Sequence, residues 1–557
     1  MVNNRKLLLC VITFTLLFVL IFSPVSQGKE EIFPLAKLKP GMTGEGYTVL
    51  KGTKIDKFNV KVLEILNGGF GDEKLILVKL SGKNLEEAGG LSAGMSGSPV
   101  YIKDRLIGAI SYGFSNADPM LAMVTPIESM FKLLTNYYSV SQPIQSQNGL
   151  TLVPVATPIV FSGMGERGYE LMSHSFKDNV LLKPVYSPGT GKKNEVLAKD
   201  IIHPGSAIAV QMVSGDYQAS AIGTVTWTDG TRFLAFGHPF TNKGKVDFQV
   251  YHAQILQTVK SSVMSFKMGT PLEPVGRIIQ DRSAGIVGEF GKSPQMIEVS
   301  VNVRDLDRNT YQRNQFKVIN HELFYRDLIV AGTTAAIDQA IDRVGAGTAK
   351  VSLIVETGDN QINRQNMFYG KDIAINCLED LRQVLDLLVS NEFYEVDLKK
   401  ISLAIEVTNS QETARVIKLD TKTKKVKPGD TLEISALLHS FRGKNFTKVF
   451  TVKLPENLQL GKLIFSAHNS TSSTLDEKDS DNKKETEKVD YKNIESLDGL
   501  IGKYLEVPKN NELIIEYYPL VESEKEDIGS VESIKLRSET PYVILGDCQL
   551  EVEVGNL

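Results

Sequence analysis

A mostly β fold with α+β parts is predicted for this chain by three observations. Short runs rich in Val, Ile, Leu and Tyr, separated by glycine or charged turns, fill most of residues 33–138 and 201–305. Apolar residues at helical spacing lie mainly between residues 321 and 391. After residue 398 the chain returns to strand-like runs with turn signals between them. Runs rich in Val, Ile, Leu and Tyr between turn signals are typical of strands, and apolar residues at helical spacing are typical of amphipathic helices.

Length, charge and cysteine content limit the possible classes of protein. A chain of 557 residues is too long for one core and indicates three or four domains. The formal net charge is −4 and no basic stripe stands out, so we expect no nucleic-acid partner. Cys10 lies in the N-terminal apolar segment. Cys377 and Cys548 could pair, but two thiols form no disulfide framework, so we expect them to be separate, buried and reduced.

Residues 1–28 have the pattern of a secretory signal peptide. Arg5 and Lys6 precede an apolar run of 16 residues, and Ser26 and Gly28 suit the −3 and −1 positions of a signal-peptidase site. We therefore expect export to the periplasm, the cell envelope or the extracellular space. The length of the run leaves an uncleaved anchor open, and only in that case do we expect contact with a membrane.

Residues 29–140 are predicted to form one β-rich unit. The strand-like runs are "YTVL", "KFNVKVLEIL", "KLILVKL", "SPVYI" and "RLIGAISYG". A helix is predicted in "TPIESMFKLLTNYY", with Thr125 as its cap.

Residues 141–200 are predicted to be a connecting segment of short strands and loops. Residues 201–310 form a second β-rich unit, in which Asp229-Gly230 is a hairpin signal between two strands. Residues 311–398 contain two helical patterns and the strand-like run "AKVSLIVET", which indicates a small α+β segment.

The remainder of the chain is predicted to contain a sandwich, a linker and a tail. Turn signals such as "KPGD" separate strand-like runs in residues 399–467, which favours a small β-sandwich. Residues 468–492 are polar, charged and nearly free of apolar residues, as in a disordered linker. Residues 493–557 form a short C-terminal segment.

The stretch "GGLSAGMSGSPVYIKDRLIGAISYG", residues 89–113, contains a candidate nucleophile. Gly94 and Gly97 flank Ser96 and tolerate the backbone angles of a sharp turn. Backbone N–H groups can gather around a carbonyl under attack only where side chains leave room, and glycines leave that room. We therefore predict an oxyanion hole formed by the amides of Gly94, Met95 and Ser96.

The motif "GMSGSP", followed by a hairpin ending in "GAISYG", resembles the serine loop of chymotrypsin-like double-barrel peptidases. It resembles more closely that of the SpoIVB-type sporulation serine peptidases, which use G-M-S-G-S-P. The likeness extends back through "GEGYTVLKGTKIDKFNVKVLEIL" and "LILVKLSGKNLEEAGGLSAGMSGSP", about 65 residues in all. This resemblance implies that Ser96 is the catalytic nucleophile.

A second stretch resembles the histidine segment of the same family. In "GTVTWTDGTRFLAFGHPF" a G-T-x-T strand leads through a hairpin to Gly-His, which implies that His238 is the catalytic base. In the family the histidine half precedes the serine half, whereas here Ser96 comes first. Because catalytic triads occur in several chain orders, we predict a permuted chymotrypsin-like double β-barrel, followed by the α+β segment and the sandwich.

The family's aspartate, found shortly before the serine motif, is replaced here by Ser81 in "KLSGKN". An aspartate fixes the histidine tautomer and stabilises the imidazolium. Asp216 is the first alternative for the third catalytic group and Asp247 the second. A Ser–His dyad whose ring is oriented by a backbone carbonyl or a hydroxyl is equally compatible with the sequence.

Other site patterns are not supported. "GMGERG" at residues 163–168 lacks the βαβ context of a dinucleotide site, and "GTGKK" lacks the spacing of a phosphate-binding loop. No His/Cys/Asp cluster has metal-ligand spacing, so we expect no metal and no cofactor.

Two functions remain open. The first is an exported serine endopeptidase of the SpoIVB type that acts on a cell-envelope protein. The alternative is a non-catalytic binding or scaffold protein of the envelope, built on a peptidase fold. Either way the expected partner is a protein.

Overall fold

The computed structural model describes residues 31–67, 74–114, 117–135, 152–155, 157–177, 182–187, 202–262, 264–469, 494–519 and 534–555. Strands dominate, which confirms the mostly β prediction. The predicted signal peptide lies outside the described residues, as does almost all of the predicted linker. Among the described helices, none is long and apolar enough to cross a membrane.

The serine-bearing unit is a closed six-stranded barrel in the order β5-β1-β2-β3-β7-β6, and a β5–β6 pairing closes it. In β2 the buried side chains of Phe58, Val60 and Val62 alternate with exposed ones, so one face of the strand fills the barrel. The elements are β1 (Thr43–Val49), β2 (Ile55–Asn67), β3 (Lys74–Ser81), α1 (Lys83–Glu87), β4 (Ser92–Ala93), β5 (Pro99–Ile102), β6 (Arg105–Phe114), β7 (Leu121–Pro126), α2 (Ile127–Lys132) and β8 (Leu152–Pro154), with single 3-10 turns at Leu35–Lys37 and Leu133–Thr135.

The histidine-bearing unit is a second closed six-stranded barrel, in the order β12-β13-β16-β15-β14-β11, closed by a β11–β12 pairing. The predicted hairpin is confirmed, because Asp229 accepts from the amides of Thr231 and Arg232 and Gly230 has φ +86°. The elements are β9 (Thr157–Ser162), α3 (Glu166–His174), β10 (Leu182–Tyr186), β11 (Ala207–Gly215), β12 (Gln218–Thr228), β13 (Arg232–Ala235), β14 (Gly244–Val259), β15 (Ser265–Arg282) and β16 (Gly285–Phe290).

Together these two units confirm the predicted double β-barrel. The described parts of residues 141–200 do more than connect the barrels: β8 pairs with β6 of the first, and β9 pairs with β12 of the second.

The α+β segment extends the sheet of the second barrel, because β18 pairs with β11. Its elements are β17 (Met296–Asp305), β18 (Thr310–Ile319), α4 (Tyr325–Ile341), β19 (Gly347–Thr357), β20 (Gln361–Gly370), α5 (Ile373–Asn376), α6 (Glu379–Ser390) and β21 (Leu398–Thr408). The predicted boundary at residue 310 is wrong, since it would cut between the paired strands β17 and β18. The boundary at residue 399 is also wrong, because β21 lies between β17 and β19 in this sheet.

The predicted sandwich is present but begins at Thr413, and it takes strands from the C-terminal segment. Its two sheets have the orders β25-β24-β22-β29 and β23-β30-β26-β27-β28. The strands are β22 (Thr413–Thr421), β23 (Lys425–Val426), β24 (Thr431–Ser440), β25 (Asn445–Lys453), β26 (Gly461–His468), β27 (Glu512–Pro519), β28 (Ile534–Glu539), β29 (Val543–Leu545) and β30 (Cys548–Val554).

One helix of the C-terminal segment, α7 (Leu497–Glu506), packs on the main core rather than on the sandwich. Residues 493–557 are therefore not a separate unit. Cys377 is buried in the main body and Cys548 begins β30. Both are free thiols, as predicted, but Cys548 is only partly buried, so the expectation that both are buried is wrong for it.

Candidate active site

The serine motif forms a tight loop between β4 and β5. Gly94 and Gly97 have φ of +93° and +92°, a region that favours glycine. The amide of Met95 donates to the carbonyl of Ser92 (2.9 Å), and that of Ser98 to the carbonyl of Met95 (2.9 Å). The loop therefore has a defined shape with Ser96 at its centre.

Strand β12 of the histidine barrel holds this loop directly. The amide of Thr224 donates to the carbonyl of Ser96 (2.9 Å), and its hydroxyl donates to the carbonyl of Gly94 (2.9 Å). The hydroxyl of Thr226 donates to the carbonyl of Gly97 (2.8 Å). The two threonines of the G-T-x-T strand thus have a physical role: they bind the serine loop of the other barrel.

Gly97 permits this close approach, and Gly223 makes room for a side chain of the histidine barrel. A Cβ added to Gly97 would lie 2.5 Å from the amide nitrogen of Phe236 and closer still to the carbonyl oxygen of Thr224. A Cβ added to Gly223 would overlap the ring of Phe236. At Gly97 two backbones meet without a side chain between them, and at Gly223 the ring of Phe236 occupies the space of a Cβ, so each glycine is required by packing.

His238 follows a turn that lies against the serine barrel. Phe236 and Gly237 both have left-handed backbone angles, with φ of +69° and +70°. The hydroxyl of Thr125 lies 2.6 Å from the carbonyl oxygen of Gly237 and donates to it. The sequence predicts Thr125 as the cap of α2, but the N-cap position is Pro126. The hydroxyl of Thr125 binds the histidine turn instead.

The imidazole of His238 has a defined orientation and tautomer. Nδ1 lies 2.7 Å from the carbonyl oxygen of Pro239. Because a carbonyl can only accept, Nδ1 carries the hydrogen and Nε2 carries a lone pair in the neutral ring. Burial lowers the pKa of His238 to about 4, with the carbonyls of Pro239 and Val155 acting in the opposite direction. The ring is therefore a neutral base at physiological pH.

Ser96 Oγ and His238 Nε2 share an unusual property. Both are buried polar atoms without a hydrogen-bond partner among the described residues. Buried polar groups normally have partners, and the exceptions are concentrated at functional sites. The two barrels bring these segments into contact, but the Ser96–His238 hydrogen bond of a catalytic pair is not formed in this conformation.

The predicted oxyanion hole is partly occupied by hydrogen bonds of the loop itself. The amide of Met95 already donates to Ser92, so it is engaged in this conformation. Among the turn hydrogen bonds of the described residues, none uses the amide of Ser96. The amide of Gly94 is likewise absent from these turn hydrogen bonds. Of the three predicted donors, Met95 is therefore engaged, and the roles of Gly94 and Ser96 stay predictions.

Neither predicted carboxylate orients the histidine. Asp216 accepts from the amide of Gln315 (2.7 Å), and Asp247 pairs with Arg277 (3.2 Å). Ser81 ends β3 and is exposed. The carbonyl of Pro239 occupies the position on Nδ1 that an aspartate would take, which matches the dyad alternative left open by the sequence.

Sequence reasoning missed Asp281, a fully buried carboxylate beside the histidine turn. It accepts from the amides of Phe240 (2.8 Å) and Asn242 (2.9 Å), and from the amide (2.5 Å) and hydroxyl (2.6 Å) of Thr241. It therefore fixes the three residues that follow Pro239. The one available signal was an aspartate within the glycine-containing stretch "VGRIIQDRSAGIVGEFG", residues 275–291, downstream of the histidine.

The comparisons with known proteins support the serine half. Residues 25–131 match the family model described as SpoIVB peptidase S55. This range covers β1–β7 and Ser96, and it stops before the segment that carries His238. No curated protein and no solved structure matched the chain. The resemblance of the serine segment is thereby confirmed, whereas that of the histidine segment stays a prediction.

Proposed function

We propose, taking residues 25–131 as a segment of SpoIVB peptidase type, that this chain is an exported serine endopeptidase that cleaves a cell-envelope protein. Ser96 is the nucleophile and His238 the general base and acid. The observation that carries the proposal is the pair of buried, unpartnered atoms, Ser96 Oγ and His238 Nε2. Thr224 of the histidine barrel binds the loop that carries the serine, and Thr125 of the serine barrel binds the turn that carries the histidine.

The chemistry follows from the orientation of the imidazole. As Ser96 Oγ bonds to the substrate carbonyl carbon, its proton passes to His238 Nε2 and the carbonyl oxygen takes the electron pair. The imidazolium then gives this proton to the leaving nitrogen as the C–N bond breaks. Water repeats the two steps to release the acyl group. The Pro239 carbonyl keeps the hydrogen on Nδ1 throughout, so Nε2 is the nitrogen that takes the proton from Ser96 and gives it to the leaving group.

Substrate access requires a change in conformation. Ser96 and His238 are both completely buried, so a peptide cannot reach them as the chain stands. Catalytic hydrogen bonds are often long or misaligned without substrate and tighten when it binds. We infer that substrate displaces the residues covering the site and brings Oγ and Nε2 into hydrogen-bond contact.

The order of the two halves supports a circular permutation. Each half is a closed barrel of six strands, and each supplies one wall of the site. Because no part of one barrel is needed to close the other, exchanging their order along the chain preserves the site. The family match covers the serine barrel alone, as expected if the two halves are exchanged along the chain.

The test is covalent labelling of the purified chain with a fluorophosphonate probe, followed by peptide mapping. We expect one phosphonyl group on Ser96, and none in Ser96→Ala. Ser98, two residues away, is the matched control, because its hydroxyl donates to the Met95 carbonyl (2.6 Å) and Ser98→Ala should still be labelled. Folded wild-type protein that stays unlabelled at Ser96 contradicts the proposal.

A second function, a non-catalytic envelope scaffold, is favoured by one observation. Ser96 and His238 are sealed from solvent and not hydrogen-bonded to each other, as expected of a site that no longer turns over. In that case a strain that lacks the gene and is given the Ser96→Ala variant has the wild-type phenotype. Truncation at residue 400 is unsuitable for this comparison, because β21 and α7 belong to the main body of the protein.

A further inference from the structure

Lys267 is a completely buried lysine beside the serine loop. Its Nζ donates to the hydroxyl oxygens of Thr48 (2.7 Å) and Thr224 (3.4 Å). No carboxylate among the described residues forms an ion pair with it. Asp56 is the acidic group whose field reaches the amine, and its oxygens accept from the amide of Leu50 and the side chain of Asn84.

Stability does not explain a lysine at this position. Removing an ammonium group from water is costly unless a counter-ion replaces the lost solvation, and even buried ion pairs can often be replaced by apolar side chains of similar volume without loss. Burial lowers the pKa of Lys267 to about 7, which reflects this unfavourable environment. Buried titratable groups of this kind are concentrated at functional sites.

The strand register places Lys267 against the loop. β15 pairs in parallel with β4, with Ser265 opposite Ser92 and Phe266 opposite Ala93. The next residue along β15 therefore faces Gly94. A Cβ added to Gly94 would lie 3.2 Å from the methylene carbons of Lys267, so the lysine stem packs on the loop backbone.

One hydrogen-bond chain connects the amine to the loop. Thr224 accepts from Lys267 and donates its single hydroxyl hydrogen to the carbonyl of Gly94 (2.9 Å). The amide of the same threonine donates to the carbonyl of Ser96. An acceptor lone pair occupied by the ammonium leaves the hydroxyl hydrogen directed at Gly94, whereas a free hydroxyl can rotate away.

We propose that Lys267 is a positioning residue for the serine nucleophile: it fixes the hydroxyl of Thr224 and thereby the loop that presents Ser96. Its role for the reaction rests on the proposed peptidase function. Its role in ordering the loop does not, because the hydrogen bonds involved exist without substrate. The two can therefore be tested separately.

The experiment compares Lys267→Met with the wild-type full chain. Lys61→Met is the matched control, because Lys61 is an exposed lysine on β2 of the serine barrel. Three quantities are measured: hydrogen exchange at the amides of Met95, Gly97 and Ser98, the melting temperature, and the saturation kinetics of fluorophosphonate labelling at Ser96.

We expect faster exchange at these three amides in Lys267→Met alone, with a melting temperature equal to or above that of the wild type. The maximal labelling rate should fall at least tenfold, with the half-saturating probe concentration unchanged. Unchanged exchange in the loop overturns the proposal, whatever the labelling rate. A lowered melting temperature with faster exchange throughout the chain also overturns it, because the lysine is then structural. An unlabelled wild-type protein contradicts the peptidase function only.

Discussion

At the scale of single residues, the site depends on the burial of the Ser96 and His238 side chains. The sequence identified Ser96 and His238 by resemblance, but their surroundings come from packing between segments 142 residues apart (238 − 96). The group that binds Nδ1 of His238 is a backbone carbonyl, that of Pro239. Because every residue has a carbonyl, sequence alone could not show which group would orient the ring.

The dependence of the labelling rate on pH in the acid range tests the protonation state of the His238 imidazole. Only neutral His238 can take a proton, and burial lowers its pKa to about 4. We expect the rate of Ser96 phosphonylation to be insensitive to His238 protonation from pH 8 to about pH 5, and to fall about tenfold per unit below pH 4. Circular dichroism at each pH controls for unfolding. A midpoint near pH 6.5, the ordinary value for histidine, contradicts this description of the site.

At the scale of elements, the decisive contact is between β12 and the serine loop. Three hydrogen bonds from Thr224 and Thr226 join one barrel to the other. Strand identity and the Asp229-Gly230 hairpin were predictable because alternation and turn residues are local signals. The pairing of β15 with β4, and the resulting burial of Lys267, were not predictable, since they depend on contacts between distant strands.

Gly97→Ala tests this contact. The added methyl group would overlap Thr224 and Phe236, so we expect a loss of about 3 kcal/mol in unfolding free energy and loss of labelling at Ser96. Gly41→Ala is the matched control, because Gly41 has a similar φ of +88° but open space at its Cβ. That change should cost about 1 kcal/mol. Equal losses in denaturant unfolding would show that backbone strain, not the approach of β12, dominates.

At the scale of the whole molecule, helix α7 attaches the C-terminal region to the main body. Helix α7 packs on the main core, and Tyr504 donates to the carbonyl of Asp380 (3.0 Å). Arg364 pairs with Asp380 (2.8 Å) in the interior and donates to the carbonyl of Val507 (3.1 Å). The sequence divided this region into a sandwich, a linker and a tail, because it could not show that strands on both sides of the linker share one sheet.

Arg364→Met tests this attachment. It leaves the buried Asp380 without its counter-ion, so we expect a loss of about 3–5 kcal/mol and faster hydrogen exchange in α7. Arg304→Met breaks an exposed pair with Glu406 and should change stability by less than about 1 kcal/mol. Arg364→Met with stability and α7 exchange like the wild type would show that α7 does not depend on this ion pair.

The central claim is that two barrels, in exchanged order, assemble one reactive serine–histidine pair. Its most direct test is the second-order rate of fluorophosphonate labelling at Ser96 in His238→Gln, compared with the wild type. His203→Gln is the control, since His203 is an exposed histidine near the start of the same barrel. We predict a rate at least about 100-fold lower in His238→Gln alone. Equal rates in folded wild-type and His238→Gln proteins would contradict the account.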